Sequence, residues 1–336
     1  GSCAGCCPEI WRLPVVAEVA PPACCEFASP PDAHILRYEA VYDDGFLIRP
    51  LDESRHPFSL KVNGRIQFRY SGFARDVETW TDSAGITRPV RNRSNFEIER
   101  ARLIFSGHAF SPRLTYFLQM DGDTDDGDTF ELFDYWWAWE FSDTFRMEMG
   151  KRKVPASRQL LLSSANTRLV DRPMACDFFR PDRTIGLFGI GRLGDRGHYQ
   201  LMIGNGYRTA GLPPSMLDDR LTFAGTQYWD PLGNFGDQIV DFADTSNALM
   251  RVGHSFVYSP QDTNVLGQPS GEADFVRLTD GTKLTETGAL APGVTVSQFD
   301  IYLYGVDMAM KWRGWSIDAE VFLRWIEQIE ADGPLG

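Results

Sequence analysis

The chain contains no run of about eighteen consecutive apolar residues, the length a helix needs to cross a bilayer. That excludes a helical membrane protein but not a barrel, whose strands leave no such run. Base is not in surplus. Over 336 residues the formal net charge is -13, and no dense basic stripe offsets it. Nucleic acid is therefore not an expected partner. Cysteine is scarce outside the first 25 residues: Cys3, Cys6, Cys7, Cys24 and Cys25 cluster there, and only Cys176 follows. Their spacing fits no zinc template, so neither a metal nor a cofactor is expected. Nor is there a G-x-S-x-G, or any Ser, Cys or His arrangement with nucleophile spacing. The histidines are scattered, and His254, on an apolar face, reads as an interface or subunit contact. The chain is not expected to be an enzyme.

What is present is alternation. From Ser59 to Ser71, Leu60, Val62, Gly64, Ile66, Phe68 and Tyr70 share one face, while Ser59, Lys61, Asn63, Arg65, Gln67, Arg69 and Ser71 share the other. Successive side chains on a strand point to opposite faces, so such a segment separates two solvents. The apolar face meets a second sheet in a soluble sandwich and lipid in an outer-membrane barrel. The same pattern recurs over 99–110, 114–121, 130–141, 144–150, 184–192, 198–205, 247–258, 299–312 and 315–326. Over 130–141, Phe133, Tyr135, Trp137, Trp139 and Phe141 are read as one aromatic face. Rings of this kind suit lipid and its interfaces. Short turns alternate with long loops, as in transmembrane barrels with short periplasmic and longer external connections. The fold expected is all-β: an antiparallel transmembrane β-barrel over 41–336. Residues 1–40, punctuated by prolines, read as an arm or linker. For its cysteines, lipidation at Cys3 or Cys6, a disulfide-tied arm and a poorly ordered exported terminus are the open readings.

Charged residues on the polar faces are the candidate pore lining: Lys61, Arg65, Arg69, Arg100, Arg102, Arg146, Arg251, Lys311 and Arg324 against Asp121, Asp134, Glu140, Glu148, Asp307, Asp318 and Glu320. The basic ones lie mainly on the first two strands and the acidic ones on the third to fifth. Either this makes a transverse field that filters solutes, or it simply wets a lumen. The acidic run Asp121–Asp128 departs from the EF-hand template at its sixth and twelfth positions. A solvated loop and a divalent cation at the outer leaflet are its two readings.

The segments L-K-V-N-G-R-I-Q (Leu60–Gln67), R-A-R-L-I-F-S-G (Arg100–Gly107), F-D-Y-W-W-A-W-E (Phe133–Glu140), M-G-K-R-K-V-P (Met149–Pro155) and R-T-I-G (Arg183–Gly186) resemble the phosphate-selective porins of the O and P type. The resemblance runs from about Asp44 to about Trp325. It implies a porin of sixteen strands in the bacterial outer membrane, usually a homotrimer in lipid, that passes small ions and hydrophilic solutes. It also implies a third external loop folded into the pore. Residues 152–182 occupy that loop's place, which makes Arg158, Arg168, Arg172 and Arg180 the constriction candidates. Lumen charges near balance leave phosphate specificity outside what is carried over. The expected function is passive diffusion, general or weakly anion-preferring, with a barrel-anchored enzyme or a structural surface protein as the alternatives. Strand parity requires one hidden strand, placed at Ala273–Thr279. Eleven of sixteen strands are then expected, an incomplete barrel with an edge at 315–326.

Overall fold

The computed structural model describes residues 37–335 apart from 125–128, 210, 263, 266–267 and 270–271. The cysteines of the first 25 residues and the last part of the acidic run lie outside the described residues. In chain order the strands are β1 (Tyr38–Tyr42), β2 (Phe46–Pro50), β3 (Leu60–Phe73), β4 (Thr79–Thr81), β5 (Thr87–Pro89), β6 (Arg93–Ala109), β7 (Ser111–Gly122), β8 (Phe130–Ser142), β9 (Phe145–Lys153), β10 (Arg183–Leu193), β11 (Gly197–Gly204), β12 (Thr222–Trp229), β13 (Leu249–Asp262), β14 (Asn264–Val265), β15 (Gln268–Pro269), β16 (Val296–Trp312) and β17 (Trp315–Ala331). The pairs β4–β5 and β14–β15 stand apart. The other thirteen strands form one antiparallel sheet in the order β1-β2-β3-β6-β7-β8-β9-β10-β11-β12-β13-β16-β17. The sheet is not closed, its edges being β1 and β17, and it already includes Tyr38–Tyr42, which begins inside the stretch read as arm.

The burial pattern decides between sandwich and barrel. On β3, Ile66, Phe68 and Tyr70 are 74%, 66% and 57% exposed, while Arg65, Gln67 and Arg69 between them are partly covered. Across the sheet most outward side chains are apolar, among them Leu103, Trp137, Met149, Leu187, Val306, Val321 and Leu323. The buried ones include Glu97, Asp121, Asp134, Glu148, Asp307 and Lys311. A soluble sheet would bury the first set. A sheet that turns its apolar face outward and its ionic face inward is built for lipid outside and water within.

The sheet also curls. The connection from β9 to β10 carries two short helices, α1 (Arg158–Leu161) and α2 (Met174–Phe179). Ser164 in this connection accepts a hydrogen bond from Arg102 on β6, and Arg158 is bound to Asp307 on β16. β6 and β16 stand eight places apart in the sheet order, about 38 Å on a flat sheet. The chain from 158 to 164 spans no more than about 21 Å fully extended, and its helical turn shortens that. The two walls must therefore face each other around the loop.

Inside that concavity sits an apolar core unseen in the strand pattern. Val154, Ala156, Leu160 and Cys176 of the loop pack with Tyr207, Ala273, Val276 and Leu284 from two further external connections. They lie against Val257, Phe299, Ile301 and Leu303 on the inner face of β13 and β16. Tyr207 stacks on Phe275 at 4.8 Å between ring centres.

This core corrects the placement of the hidden strand. Ala273–Thr279 is not a strand. It begins within a 3-10 turn, Glu272–Phe275, and its apolar residues are apolar because they plug the core. The strand that parity demands is β12, within the long stretch between β11 and β13, and it pairs with both of them. Counting from β3, the sheet then has the expected eleven strands, with β1 and β2 added at its edge. The alternation of turn lengths is also less strict than expected. Residues 230–248 lie at the short-turn end, yet they form a long connection that folds inward, with Phe235 and Ile239 buried.

Candidate pore and constriction

Local pairing, within one strand, between strands one or two places apart or with a connection folded inward, governs most of the predicted pore charges. Arg102 donates to Asp121 on the adjacent strand at 2.8 Å. Asp134 is met by Arg183 at 2.8 Å, and Glu148 by Arg146 at 2.9 Å and by Arg152. Glu140 stands opposite Arg146 in the β8–β9 register. Arg251 is held by both oxygens of Asp230, at 2.7 and 2.8 Å. Arg69 is shared by Glu97, Glu99 and Asp171. Lys61 reaches Asp43, and Lys311 donates to the carbonyl of Phe235 at 2.9 Å. Basic strands next to acidic strands cancel locally, so the segregation legible in the sequence does not by itself create a transverse field.

The sequence reading missed Glu97, Glu99, Arg152, Arg183 and Asp230. Glu97 precedes the point where alternation in β6 becomes regular. Arg183 is the first residue of β10, ahead of the segment read as a strand. Asp230 ends a strand that was not seen at all.

Phe133 is a correction of face. The β7–β8 register shifts between Gln119 and Met120, so Asp134 pairs with Gln119 while Leu132 pairs with Met120. A bulge of this kind re-aims the extra side chain. It turns Phe133 inward, beneath the guanidinium of Arg183 at 3.5 Å and that of Arg102 at 4.6 Å from the ring centre. Tyr135, Trp137 and Trp139 keep the outward face, with Trp137 opposite Tyr116 and Met149. Trp136 faces in and stacks on Phe117 at 5.4 Å and 8°.

The β9–β10 loop touches both walls. Arg158 binds Asp307 and Asp318, and its backbone N–H donates to Glu320 at 3.0 Å. Gly253 stands opposite Asp307 in the ladder, and a Cβ there would lie 2.5 Å from Asp307 Oδ2, so only glycine leaves this carboxylate its place. On the other side, Asp171 takes Arg69 at 2.7 Å and Arg100 at 3.3 Å, and Ser164 takes Arg65 and Arg102. Arg172 ties the loop to itself through the carbonyls of Gln159 and Leu162, at 2.7 and 2.8 Å. Burial lowers its pKa, and the neighbouring Arg180 adds to that. Arg180 pairs with Asp177 and Asp182. Arg168 is exposed and, among the described residues, forms no ion pair. Burial pushes the Cys176 thiol up to about 11, which leaves it a packing group.

Three cations near this crossing have no carboxylate within salt-bridge distance among the described residues. Arg65 meets the Ser164 hydroxyl, and Arg172 and Lys153 both donate to the carbonyl of Leu162. Arg65 also stands directly opposite Arg102 in the β3–β6 register. His254 lies on the outward face, opposite Gln227. Among the described residues no cluster of His, Cys, Asp and Glu could hold a metal ion. A family model described as phosphate-selective porin O and P matches residues 62–328. No curated protein matches the chain.

Proposed function

The chain belongs to the phosphate-selective porin O and P family of outer-membrane passive diffusion channels, and we propose that this member passes small hydrophilic solutes with a weak preference for anions. The observation that carries the reading is the loop held across an ionic, inward face by both walls, with Arg65 and Arg172 uncompensated at its crossing. Uncompensated fixed charge in a narrow, partly desolvated passage favours the opposite ion. The paired remainder keeps that preference weak. The same reading makes the protein a homotrimer in outer-membrane lipid and not an enzyme. In support of the trimer, His254 and Gln227 stand opposite each other on the outward face, where polar side chains call for a partner other than lipid.

The test is reconstitution in planar bilayers. Stepwise conductance and a reversal potential displaced modestly toward chloride in a salt gradient are expected, with phosphate added to measure its block of the chloride current. A folded protein that gives no conductance overturns the reading. The mass of the detergent-extracted protein checks the trimer.

A further inference from the structure

We infer that the lumen holds a second solute subsite, apart from the basic crossing at Ser164, that takes small zwitterions of the free amino-acid kind; the inference rests on the diffusion-channel reading above. The loop has two sides. The one turned away from β3 and β6 bounds a cavity of about 290 Å³ against β11, β12 and β13. Its polar lining includes Asn166 from the loop, Gln200, Tyr228 and Arg251 from the wall, and Asp237 from the inward connection 230–248. Gln238 donates to the Asn166 side-chain oxygen at 3.5 Å, so connections from opposite ends of the sheet meet at this point. A solute that enters the cavity from either end meets this junction.

The bonds already formed leave a particular set of groups open. Arg158, which also lines the cavity, spends its guanidinium on Asp307 and Asp318, and that contact compensates the charge of Asp307. Arg251 uses Nε and Nη2 on Asp230, leaving Nη1 without a hydrogen bond among the described residues. The side-chain oxygen of Gln200 accepts from Arg152 at 3.2 Å and that of Asn166 accepts from Gln238, which leaves both amide nitrogens as donors. The Tyr228 hydroxyl has no partner among the described residues, and its ring carries the Arg251 guanidinium at 4.2 Å. Asp237 is exposed and makes neither a hydrogen bond nor an ion pair with the described residues. The open set is therefore several donors, one of them cationic, together with one carboxylate, Asp237, that has no counter-ion among the described residues.

Each solute class meets that set differently. A simple anion suits the donors but is repelled by Asp237. A simple cation suits Asp237 but leaves the donors and Arg251 facing it. A carboxylate and an ammonium on one small molecule satisfy both, through charge-assisted bonds at each end.

The experiment uses the whole protein in liposomes, with L-serine and glycerol as probes of similar size. Wild type is expected to admit serine at least as fast as glycerol. Asp237→Asn, which removes a charge that bonds to nothing in the fold, should slow serine severalfold and leave glycerol unchanged. In planar bilayers, serine should reduce the ion current of the wild type and not of the variant. The inference is overturned if glycerol enters while serine lags behind it, or if Asp237→Asn alters neither solute or both equally. Exclusion of both solutes by folded wild type would instead overturn the diffusion reading.

Discussion

Arg158 places its whole guanidinium on the far wall: Nη1 and Nη2 meet Asp318 at 2.7 and 2.6 Å, and Nε meets Asp307 at 2.6 Å. The loop is thereby fixed to the two strands farthest from β3 in the sheet, while Ser164 and Asp171 fix it to β3 and β6. Its position follows from ionic contacts at both ends rather than from stiffness of the loop itself.

Arg158→Ala removes one partner of a buried ion group and leaves Asp307 and Asp318 facing each other. The cost of such a change is about 3–5 kcal/mol. The loop should detach from β16 and β17, so the open-channel current should rise and become noisier, and the urea midpoint should fall. A folded variant with unchanged current and noise would place the loop's hold elsewhere.

Arg65→Glu should move the reversal potential toward cations, because among the described residues Arg65 has only the Ser164 hydroxyl as a partner. Arg69→Glu is a different experiment. It puts a fourth carboxylate among Glu97, Glu99 and Asp171, so its main effect should be on stability. Salt-gradient recordings with refolding titrations of both variants separate the two effects. A larger selectivity change from Arg69→Glu would contradict the assignment.

Trp137→Arg sets a charge against hydrocarbon, at roughly 2–4 kcal/mol near mid-depth and less toward the interfaces. Trp136→Arg instead loses a stacked aromatic pair, about 0.5–1.5 kcal/mol beyond area, and adds a charge beside Arg146. The outward substitution should be the more damaging in a refolding titration. The opposite ranking would mean that the register of β8 is off by one.

The hairpin β4–β5 and the segment 280–286 are clasped. Asp280 accepts from Ser83 N–H at 2.6 Å and from its hydroxyl at 2.5 Å, and Arg88 bridges Asp82 and Glu286 at 2.8 Å each. The Ser83 hydroxyl, then the backbone N–H of Thr282, holds the Asp280 pKa below the ordinary carboxylate range. A carboxylate whose folded pKa lies below its unfolded value of about 4 stabilises fully above that value. The contribution is lost as pH falls through the folded value. Amide protection over 79–89, corrected for intrinsic exchange, should thus be equal at pH 7 and pH 5 and decline only in stronger acid. Loss of protection between pH 7 and pH 5 would rule out Asp280 as the titrating group.

The long hydrophobic-outside strands were legible because lipid imposes a strict period of two. β12 was not. Its outward face is Phe223, Gly225, Gln227 and Trp229, and its inward face Thr222, Ala224, Thr226 and Tyr228, so neither face is uniformly polar or apolar. Val276 and Leu284 misled for the opposite reason: they are apolar to fill a plug, and a plug has no period. Phe133 could not be placed because a bulge leaves no mark in composition. The partners of the loop's arginines were not legible, since Arg158 and Asp318 are joined only by the curl of the sheet. The ion preference proposed for the crossing at Ser164 rests on which charges go unpaired, a property of geometry alone.

Every strand of the main sheet is hydrogen-bonded to its nearest main-sheet neighbours along the chain, so the wall can be laid down hairpin by hairpin from local contacts. The clasp joins residues 197 apart, and the Arg158 contact to Asp318 joins residues 160 apart. Loop-closure entropy defers contacts of such separation until the intervening chain is in place. During biogenesis the passage is consequently finished after its wall. A wall laid down without β16 and β17 would lack the Arg158 contacts that hold the loop across it, and is expected to leak more than the whole sheet.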